Sequence, residues 1–446
     1  MFNIGVAKTD ITPQPGIPLA GYRERAGSAE GMHDPLFARA LAFESSTGGL
    51  IMIALDVLAV DDDLVAAIRR EVTSRIEEIP AARVVICATH THSGPSGIFT
   101  TLEDYDRILA GEIACKSARA AVAAWESRRP GRLGAGACKI NGVASNREDP
   151  AGVFDPVLRV LKLEDVRGNP IACVFNYACH PTVLDPKNLL FSRDWPGYTV
   201  DVMEASEGTV GMAMFVNGAA ADVSTRYTRN ASSFDEAERL GRIVAEGALS
   251  LAGGIECTAT PEISVSRSML MLPRRRPVSL ESARSALELA RREVDSLRAC
   301  GNASPGDIKR AESVVLAWQV VLDRHRDLSV DPPCEDNRDT AALDRHVMTD
   351  ISIVDFKDAV IVFLPGEVSA ETGMRIRQRV AGVRRSDVDR VWLVGYANGH
   401  IGYVVRPDVC GVASYEAVMS RVGPEAADLI EEEVSKLAMK GMSGEC

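Results

Sequence analysis

An apolar run leads directly into a polar turn in the stretch Arg83-Val-Val-Ile-Cys-Ala-Thr-His90-Thr-His92-Ser-Gly-Pro95. The run has the length and composition of a buried strand, and it ends at two of the seven histidines of the chain. Strand ends that face a crevice are where α/β proteins bind ligands. Because neutral imidazole is the commonest metal ligand, His90 and His92 predict a hydrolase site with zinc. Two histidines that satisfy loop hydrogen bonds are the structural alternative.

The same arrangement recurs at two further strand ends. A second apolar run ends in Tyr177-Ala-Cys-His180-Pro-Thr182. A third ends in a Gly/Ala-rich turn, Asn217-Gly-Ala-Ala-Ala-Asp222-Val-Ser224. A hydroxyl with backbone N–H groups nearby suits an oxyanion site, although a tight structural turn explains this sequence equally well.

Two apolar runs near the C-terminus also end in residues that can carry chemistry. The run at 361–364 leads into Pro365-Gly-Glu367, whose carboxylate is a candidate ligand, a base or a cap of the next helix. The run at 391–394 leads into a Gly-rich polar turn that ends at Tyr403. A catalytic zinc needs three or four N/O ligands from the protein and one open position, and distant strand ends can supply them.

Strand-like and helix-like runs alternate up to residue 265 and return after residue 350. This pattern predicts one α/β domain over 1–446, with a central β-sheet core, either one sheet or two packed sheets, flanked by helices. Helical stripes on both sides of Gly301-Asn-Ala-Ser-Pro-Gly306 predict a helical hairpin inserted at 277–326. His325 ends the second stripe and is expected to be a packed helix-end histidine. The predicted strands are 36–44, 49–58, 83–88, 157–163, 171–178, 211–216, 351–356, 359–364 and 391–396, and the other predicted helices are 62–78, 104–125, 197–207, 235–252, 370–380 and 415–436.

Composition excludes several functional classes. The net charge of −12 argues against a nucleic-acid surface, and the one tight basic cluster, residues 274–276, is interpreted as a solvated turn. The ten cysteines form no Cys-x-x-Cys pair, which is typical of a reducing compartment. The N-terminus has no signal-peptide pattern, and no run approaches the roughly 18 apolar residues of a membrane span. We expect a soluble cytoplasmic protein without stable membrane insertion; its oligomeric state is left open, a homo-oligomer included.

Several motifs in fixed order resemble the neutral/alkaline (non-lysosomal) ceramidase family, in its N-terminal catalytic domain. They extend over nearly the whole chain. In chain order they are Gly5-Val-Ala-Lys-Thr-Asp-Ile-Thr-Pro13, Leu19-Ala-Gly-Tyr22, Gly31-Met-His-Asp-Pro-Leu-Phe-Ala-Arg-Ala40, Ala88-Thr-His-Thr-His-Ser-Gly-Pro95, Ser145-Asn-Arg147, Ala178-Cys-His-Pro-Thr182, Asp222-Val-Ser224, Pro365-Gly-Glu367, Gly402-Tyr403 and Tyr415.

The resemblance implies a role for each of these strand-end residues. It implies that His92, Arg147 and Tyr415 line the amide site and that Ser224 matches the position often assigned as the nucleophile. A water activated by zinc is the competing account, and we prefer it because the ligand set already generates a nucleophile near neutral pH. The implied zinc ligands are His90, His180, Glu367 and Tyr403.

The expected function is therefore a zinc-dependent hydrolase of a carboxamide (N-acyl) bond. Arg147 and Tyr415 would stabilise the oxyanion, and His92 would pass a proton to the leaving amine. The substrate is a small-molecule or lipid amide; the acidic composition and few aromatics favour a small soluble one over ceramide. The alternatives are a metal-independent serine amidase that uses Ser224 and His92, and a metal- or ligand-binding protein without the chemistry.

Overall fold

A computed structural model describes residues 2–99, 105–258, 260–330, 345–406, 408 and 414–443. The strands are β1 (Asn3–Asp10), β2 (Gly31–Met32), β3 (Phe37–Ser45), β4 (Gly48–Leu55), β5 (Val84–Ala88), β6 (Arg129–Lys139), β7 (Ser145–Asn146), β8 (Val157–Asp165), β9 (Pro170–Tyr177), β10 (Leu190–Phe191), β11 (Met212–Asn217), β12 (Val223–Ser224), β13 (Ser264–Pro273), β14 (His346–Asp355), β15 (Val360–Phe363), β16 (Glu367–Val368), β17 (Val391–Val394) and β18 (Tyr403–Val404). The helices are α1 (Asp62–Thr73), α2 (Arg107–Glu126), α3 (Asp194–Glu204), α4 (Phe234–Gly254), α5 (Leu280–Cys300), α6 (Pro305–Val330), α7 (Ala370–Arg384), α8 (Tyr415–Met419) and α9 (Ala426–Ser443).

Two β-sheets pack face to face, and helices cover the outer face of each. The large sheet has the strand order β11-β9-β8-β6-β1-β3-β4-β5, and the small sheet has the order β13-β14-β15-β17. Phe43 of the large sheet and Phe356, which follows β14, belong to the apolar layer between the sheets, with ring centroids 5.0 Å apart. A second core lies between the large sheet and α1–α4, and a third lies between the small sheet, α7 and α9. The two packed sheets are thus the form that the predicted α/β core takes.

The central strands are buried on both faces, which explains why their sequences read as continuous apolar runs. In β3 and β4 the buried residues are consecutive and do not alternate with exposed ones. β4 pairs with β5 in parallel, and β9 pairs with β11 in parallel. Parallel pairing brings the C-terminal ends of neighbouring strands to the same edge, where side chains from separate turns can meet.

The two ends of the large sheet are joined by one short segment, residues 395–398. The Gly395 N–H donates to the Asn217 carbonyl at the end of β11, over 3.1 Å. Two residues on, Ala397 forms an antiparallel bridge with Cys87 of β5. This segment follows β17 of the small sheet, so it holds the turns after β5, β9 and β11 close together although five strands separate β5 from β9 in the sheet order.

Most predicted elements are present with ends shifted by a few residues, but one predicted helix is wrong and some strands were not predicted. The helix predicted over 415–436 is broken: α8 ends at Met419 and α9 begins at Ala426. Pro424 lies in the break, where its missing N–H and fixed φ interrupt a helix. Strands β1, β6 and β13 were not predicted. The predicted helix start at 104 lies outside the described residues.

The segment predicted as a hairpin contains α5 and α6. Ser304 and Asp307 form reciprocal hydrogen bonds at the start of α6: the Asp307 N–H donates to Ser304 Oγ over 3.1 Å, and the Ser304 N–H donates to Asp307 Oδ2 over 3.2 Å. The two helices pack around a small core that includes Trp318 and, from α8, Val418. His325 Nε2 donates to Val278 O over 2.7 Å, which suits a packed helix-end residue.

No helix in the described part of the chain combines the length and apolar composition needed to cross a bilayer.

The exposed apolar side chains include three methionines, Met269 and Met271 of β13 and Met348 of β14. Met271 and Met348 are register partners, so the three form one small group on the outer strand pair of the small sheet.

Candidate active site

The turn after β5 carries His90 in a left-handed backbone conformation, with φ of 71°. This conformation is uncommon for a residue other than glycine, and it is held by a hydrogen bond from the His90 N–H to Val57 O. The ring stacks on Tyr396 at a centroid distance of 4.1 Å. His90 Nδ1 lies 2.6 Å from Leu58 O. Because a carbonyl can only accept, Nδ1 carries the proton and Nε2 carries a free lone pair.

His180 follows β9 and is oriented in the same way. Its Nδ1 lies 2.6 Å from Ala220 O in the turn after β11, so its Nε2 also carries the lone pair. The side chain is fully buried. Burial, followed by the neighbouring Arg147 guanidinium, lowers the pKa of His180 to about 3. The ring is therefore neutral near pH 7 and available as a ligand.

Asn217, at the end of β11, connects the two histidine turns through its side-chain amide. Its Nδ2 donates to Thr89 O and to Cys179 O, each over 3.3 Å, and its Oδ1 accepts from the Cys179 N–H over 3.3 Å. Thr89 and Cys179 are the residues directly before His90 and His180. A single fully buried amide thus sets the distance between the two turns.

Glu367 reaches the same point from the small sheet. It lies on β16, in register with Tyr403 of β18. Its Oε2 lies 3.1 Å from His180 Nε2 and 3.3 Å from His90 Nε2. The cap interpretation of Glu367 is not what the structure shows, because Ser369 occupies the N-cap position of α7.

The donor set fits a metal ion. His90 Nε2, His180 Nε2 and Glu367 Oε2 all present lone pairs to one another, and no N–H or O–H among the described residues donates to Glu367 Oε2. Three acceptors this close repel one another unless a cation lies between them. Two neutral imidazoles with a carboxylate are a ligand set that zinc uses in hydrolases.

His92 lies in the same cluster. Its Nε2 is 3.3 Å from His90 Nε2, and one ligand-type atom from each of His90, His92 and His180 falls within a 4.8 Å group. Gly21 packs so closely on the ring that an added Cβ would lie 2.5 Å from Nδ1. Burial and the neighbouring histidines hold the pKa of His92 well below its usual range, so the ring is a neutral base. Its position suits either a third imidazole ligand or the proton carrier that the sequence predicts.

Arg147 and the two predicted tyrosines form the adjoining wall. Arg147 Nη1 donates to His180 Nε2 over 3.2 Å, and Nη2 donates to Tyr403 Oη over 3.4 Å. The rings of Tyr403 and Tyr415 pack edge to face at 5.8 Å. Burial, followed by the charge of Glu367, raises the pKa of Tyr403 well above its usual range, so the phenol stays protonated.

Ser224 is buried on β12, opposite Ser145 of β7 and bridged to His180. Its Oγ accepts a hydrogen bond from the Arg226 N–H over 3.2 Å. No hydrogen bond joins the hydroxyl to a histidine within the described residues. The structure therefore places Ser224 beside the cluster without the base contact of an activated serine.

Sequence reasoning did not identify four residues that shape this site. Tyr396 and His400 lie in the Gly-rich turn that was singled out, but neither was given a role. The signal for Tyr396 was its place at the end of β17; Asn217 and Glu416 carried no local signal because their partners are distant in sequence. The Glu416 carboxylate is fully buried and accepts from Arg147 Nε over 2.7 Å.

Charged residues line the contact between the site loop and α6. The loop that carries Gly21 and Tyr22 continues into Arg23, which pairs with Asp323 over 2.8 Å. The next residue, Glu24, pairs with Lys309 over 3.3 Å. Tyr22 itself packs against the His92 ring at 4.9 Å. The rim next to His92 is therefore polar.

Comparisons with known proteins point to one family. A profile described as "Neutral/alkaline non-lysosomal ceramidase, N-terminal" matches residues 2–234, just over half of the 446-residue chain. Neutral ceramidase B of Dictyostelium discoideum is 26% identical over 250 residues, 48% of this chain and 34% of that protein. Neutral ceramidase of Pseudomonas aeruginosa is 26% identical over 223 residues, 44% of this chain and 32% of that protein.

The fold agreement extends over more of the chain than the two sequence alignments described above. The crystal structure of neutral ceramidase from Pseudomonas aeruginosa superposes with a TM-score of 0.75 at 19% identity, covering 98% of this chain and 74% of that one. The sequence alignments, in contrast, span only about a third of these two curated relatives.

Proposed function

Because the chain belongs to the neutral/alkaline non-lysosomal ceramidase family, we propose that it is a zinc-dependent hydrolase of a carboxamide (N-acyl) bond. One observation carries this proposal: three atoms with lone pairs converge in a buried site. Glu367 Oε2 lies 3.3 Å from His90 Nε2 and 3.1 Å from His180 Nε2. Family membership supports amide hydrolysis, and the donor set supports zinc.

The predicted ligands are His90, His180, Glu367 and Tyr403, with His92 as a further imidazole at ligand distance from this group. When bound, zinc would act as a Lewis acid and lower the pKa of a water molecule. The carbonyls of Leu58 and Ala220 accept from Nδ1 of the two rings and so orient both imidazoles with Nε2 toward the site.

The remaining residues supply positioning and proton transfer. Arg147 presents N–H groups beside His180 and Tyr403, where they can donate to an oxygen that becomes negative in the transition state. Tyr415 extends this wall. His92 is neutral and half-buried, so it can accept a proton from the attacking water and return it to the leaving amine.

A serine amidase mechanism is less well supported. It requires a base in hydrogen-bonding reach of Ser224 Oγ, and the hydrogen bond observed at that oxygen comes from the Arg226 backbone. Ser224 is better suited to orient the substrate or a water molecule. The non-catalytic alternative leaves the buried Arg147 and the half-buried Tyr415 beside the donor set without a purpose.

We propose a small soluble N-acyl compound as the substrate. The charged pairs Arg23–Asp323 and Lys309–Glu24 form a polar rim next to His92, and they favour a substrate that arrives from water. A lipid amide such as ceramide, the substrate class named by the relatives, is the alternative.

Metal removal and replacement test the proposal. Purified protein would be assayed with a panel of N-acyl amino compounds before chelation, after chelation and after addition of zinc. We expect hydrolysis to disappear with the chelator and to return with zinc. Full activity in metal-free protein would overturn zinc dependence, and a protein with bound zinc that releases no amine from any N-acyl compound would overturn amide hydrolysis.

A further inference from the structure

Arg147 is a buried cation in a site that already fits a divalent cation. Its guanidinium lies 3.2 Å from a nitrogen of His180, and the residue is almost completely buried. A cation bound by His180 would be a second positive group beside this guanidinium, and repulsion between like charges is stronger in a buried site than in water. A specific group must therefore keep the guanidinium at this position.

Glu416 is that group. Its Oε1 accepts from Arg147 Nε over 2.7 Å, and the residue is fully buried. The contact uses the one guanidinium nitrogen that does not face the site, which leaves Nη1 directed at His180 and Nη2 at Tyr403. Burial lowers the pKa of Arg147, but Glu416, Tyr403 and Glu367 together more than offset this, and the pKa lies well above its usual range.

The second oxygen of Glu416 has no hydrogen-bond partner among the described residues. A buried carboxylate with one unused oxygen is costly, so packing for stability alone does not account for it. Glu416 lies on α8 directly after Tyr415, and α8 packs on the core of the α5–α6 segment through Val418. That segment thus supports the helix that fixes Arg147.

We propose that Glu416 is a positioning residue: its carboxylate fixes the Arg147 guanidinium so that both terminal N–H groups face the reacting centre. Metal coordination by His180 would use the lone pair that accepts from Nη1, which frees this donor for an oxygen of the substrate. The catalytic part of this inference rests on the proposed function.

The first experiment measures the ion pair without any substrate. In protein labelled with ¹⁵N-arginine, we expect one slowly exchanging side-chain Nε–H signal at low field, absent in Arg147→Lys. In Glu416→Gln this signal moves to the ordinary arginine region and exchanges quickly. Glu431→Gln is the matched control, because Glu431 is equally buried and pairs with Arg379 over 3.2 Å. An unchanged signal in Glu416→Gln overturns the proposal.

The second experiment measures positioning during turnover. We expect Glu416→Gln to lower kcat about 10–100-fold with little change in KM, the usual cost of losing an outer partner. Free guanidinium should restore activity to Arg147→Ala but not to the Arg147→Ala/Glu416→Gln double variant, whereas Glu431→Gln should keep full kcat. If free guanidinium restores the same activity to the single and the double variant, Glu416 does not position the guanidinium. If the wild type hydrolyses no amide, the proposed function fails, and the arginine signal still decides on positioning.

Discussion

The Asn217 side-chain amide donates to the Thr89 carbonyl over 3.3 Å, and Thr89 is the residue directly before His90. The same nitrogen donates to Cys179 O, directly before His180. The residue before each histidine thus accepts a hydrogen bond from the same side-chain amide. The spacing of the two imidazoles is therefore set by Asn217, whose side chain bonds only backbone groups of the two turns in the hydrogen bonds described above.

The first prediction concerns this amide. Asn217→Asp replaces the donor with an oxygen that faces two carbonyls, so we expect zinc affinity to fall about 10–100-fold. Asn176→Asp is the matched control: Asn176 is also buried and donates to Val216 O and Leu393 O, away from the histidine turns. Competition with a fluorescent zinc chelator measures both. Equal zinc affinities in the two variants would show that Asn217 supports only general stability.

The second prediction is one tightly bound zinc per chain. His90→Ala and His180→Ala each remove an Nε2 that faces Glu367, so we expect metal content to fall toward zero after dialysis against a chelator. His33→Ala, at an exposed histidine that bonds Tyr198, should keep the wild-type stoichiometry. Elemental analysis of the purified proteins gives the result. Full occupancy in both site variants would sink the ligand assignment.

The third prediction separates the two nucleophiles. Ser224→Ala removes a neutral hydroxyl, so kcat/KM should fall by about tenfold or less, the value of one hydrogen bond of about 1 kcal/mol. Glu367→Ala should cost more, since it removes the charged member of the donor set. Steady-state assays compare them. An acyl group trapped on Ser224 and detected by mass spectrometry would show that Ser224 is the nucleophile and would contradict this prediction.

The fourth prediction is a pH dependence of stability that comes from Asp222. Burial raises its pKa from 3.8 to about 6, so the folded state binds the proton more tightly than the unfolded state. Asp222 therefore contributes to the free energy of unfolding below pH 3.8, and this contribution is lost as the pH rises through about 6. The loss is on the order of 2–3 kcal/mol. Asp222→Asn removes the titrating group, so its unfolding free energy should fall less than that of the wild type between about pH 4 and pH 7.

Urea unfolding at a series of pH values measures this difference. Asp149→Asn, at an exposed carboxylate in the nearby turn, should follow the wild-type curve. Comparing variants removes the pH dependence that all three proteins share. Parallel curves of unfolding free energy against pH for Asp222→Asn and the wild type would show that Asp222 does not cause the predicted pH dependence.

The fifth prediction concerns the substrate. We expect higher kcat/KM for short N-acyl amino compounds than for micellar long-chain ceramide, because the rim beside His92 is formed by charged pairs. Replacing the exposed group Met269, Met271 and Met348 with serine should leave the rate on soluble substrates unchanged. A tenfold advantage for ceramide, about 1.4 kcal/mol of transition-state preference, would show that the idea is wrong.

The sequence predicted elements whose signals are local. The apolar run before His90 and the polar turn after it lie within thirteen residues, so both the strand and its functional end could be inferred. β6 was missed because Arg129-Pro-Gly-Arg-Leu-Gly-Ala-Gly contains proline and three glycines, which disfavour a strand. Pairing with β8 along its whole length overrides that local preference.

The roles of Asn217 and Glu416 could not be predicted in this way. The amide of Asn217 bonds a residue 128 positions away, and Glu416 bonds Arg147 across 269 positions. Neither spacing follows from helical or strand periodicity. Both depend on how the two sheets pack and on where the segment 395–398 crosses between β5 and β11.

That crossing segment also fixes an order of events during translation. His180 leaves the ribosome about 215 residues before residue 395, which at roughly 5–20 residues per second is a delay on the order of ten seconds or more. Until residues 395–398 arrive, the bridge from Ala397 to Cys87 of β5 is missing, and Glu367 emerges only shortly before them. The nascent chain therefore carries both histidine turns long before Glu367, so the three-residue donor set is complete only late in synthesis.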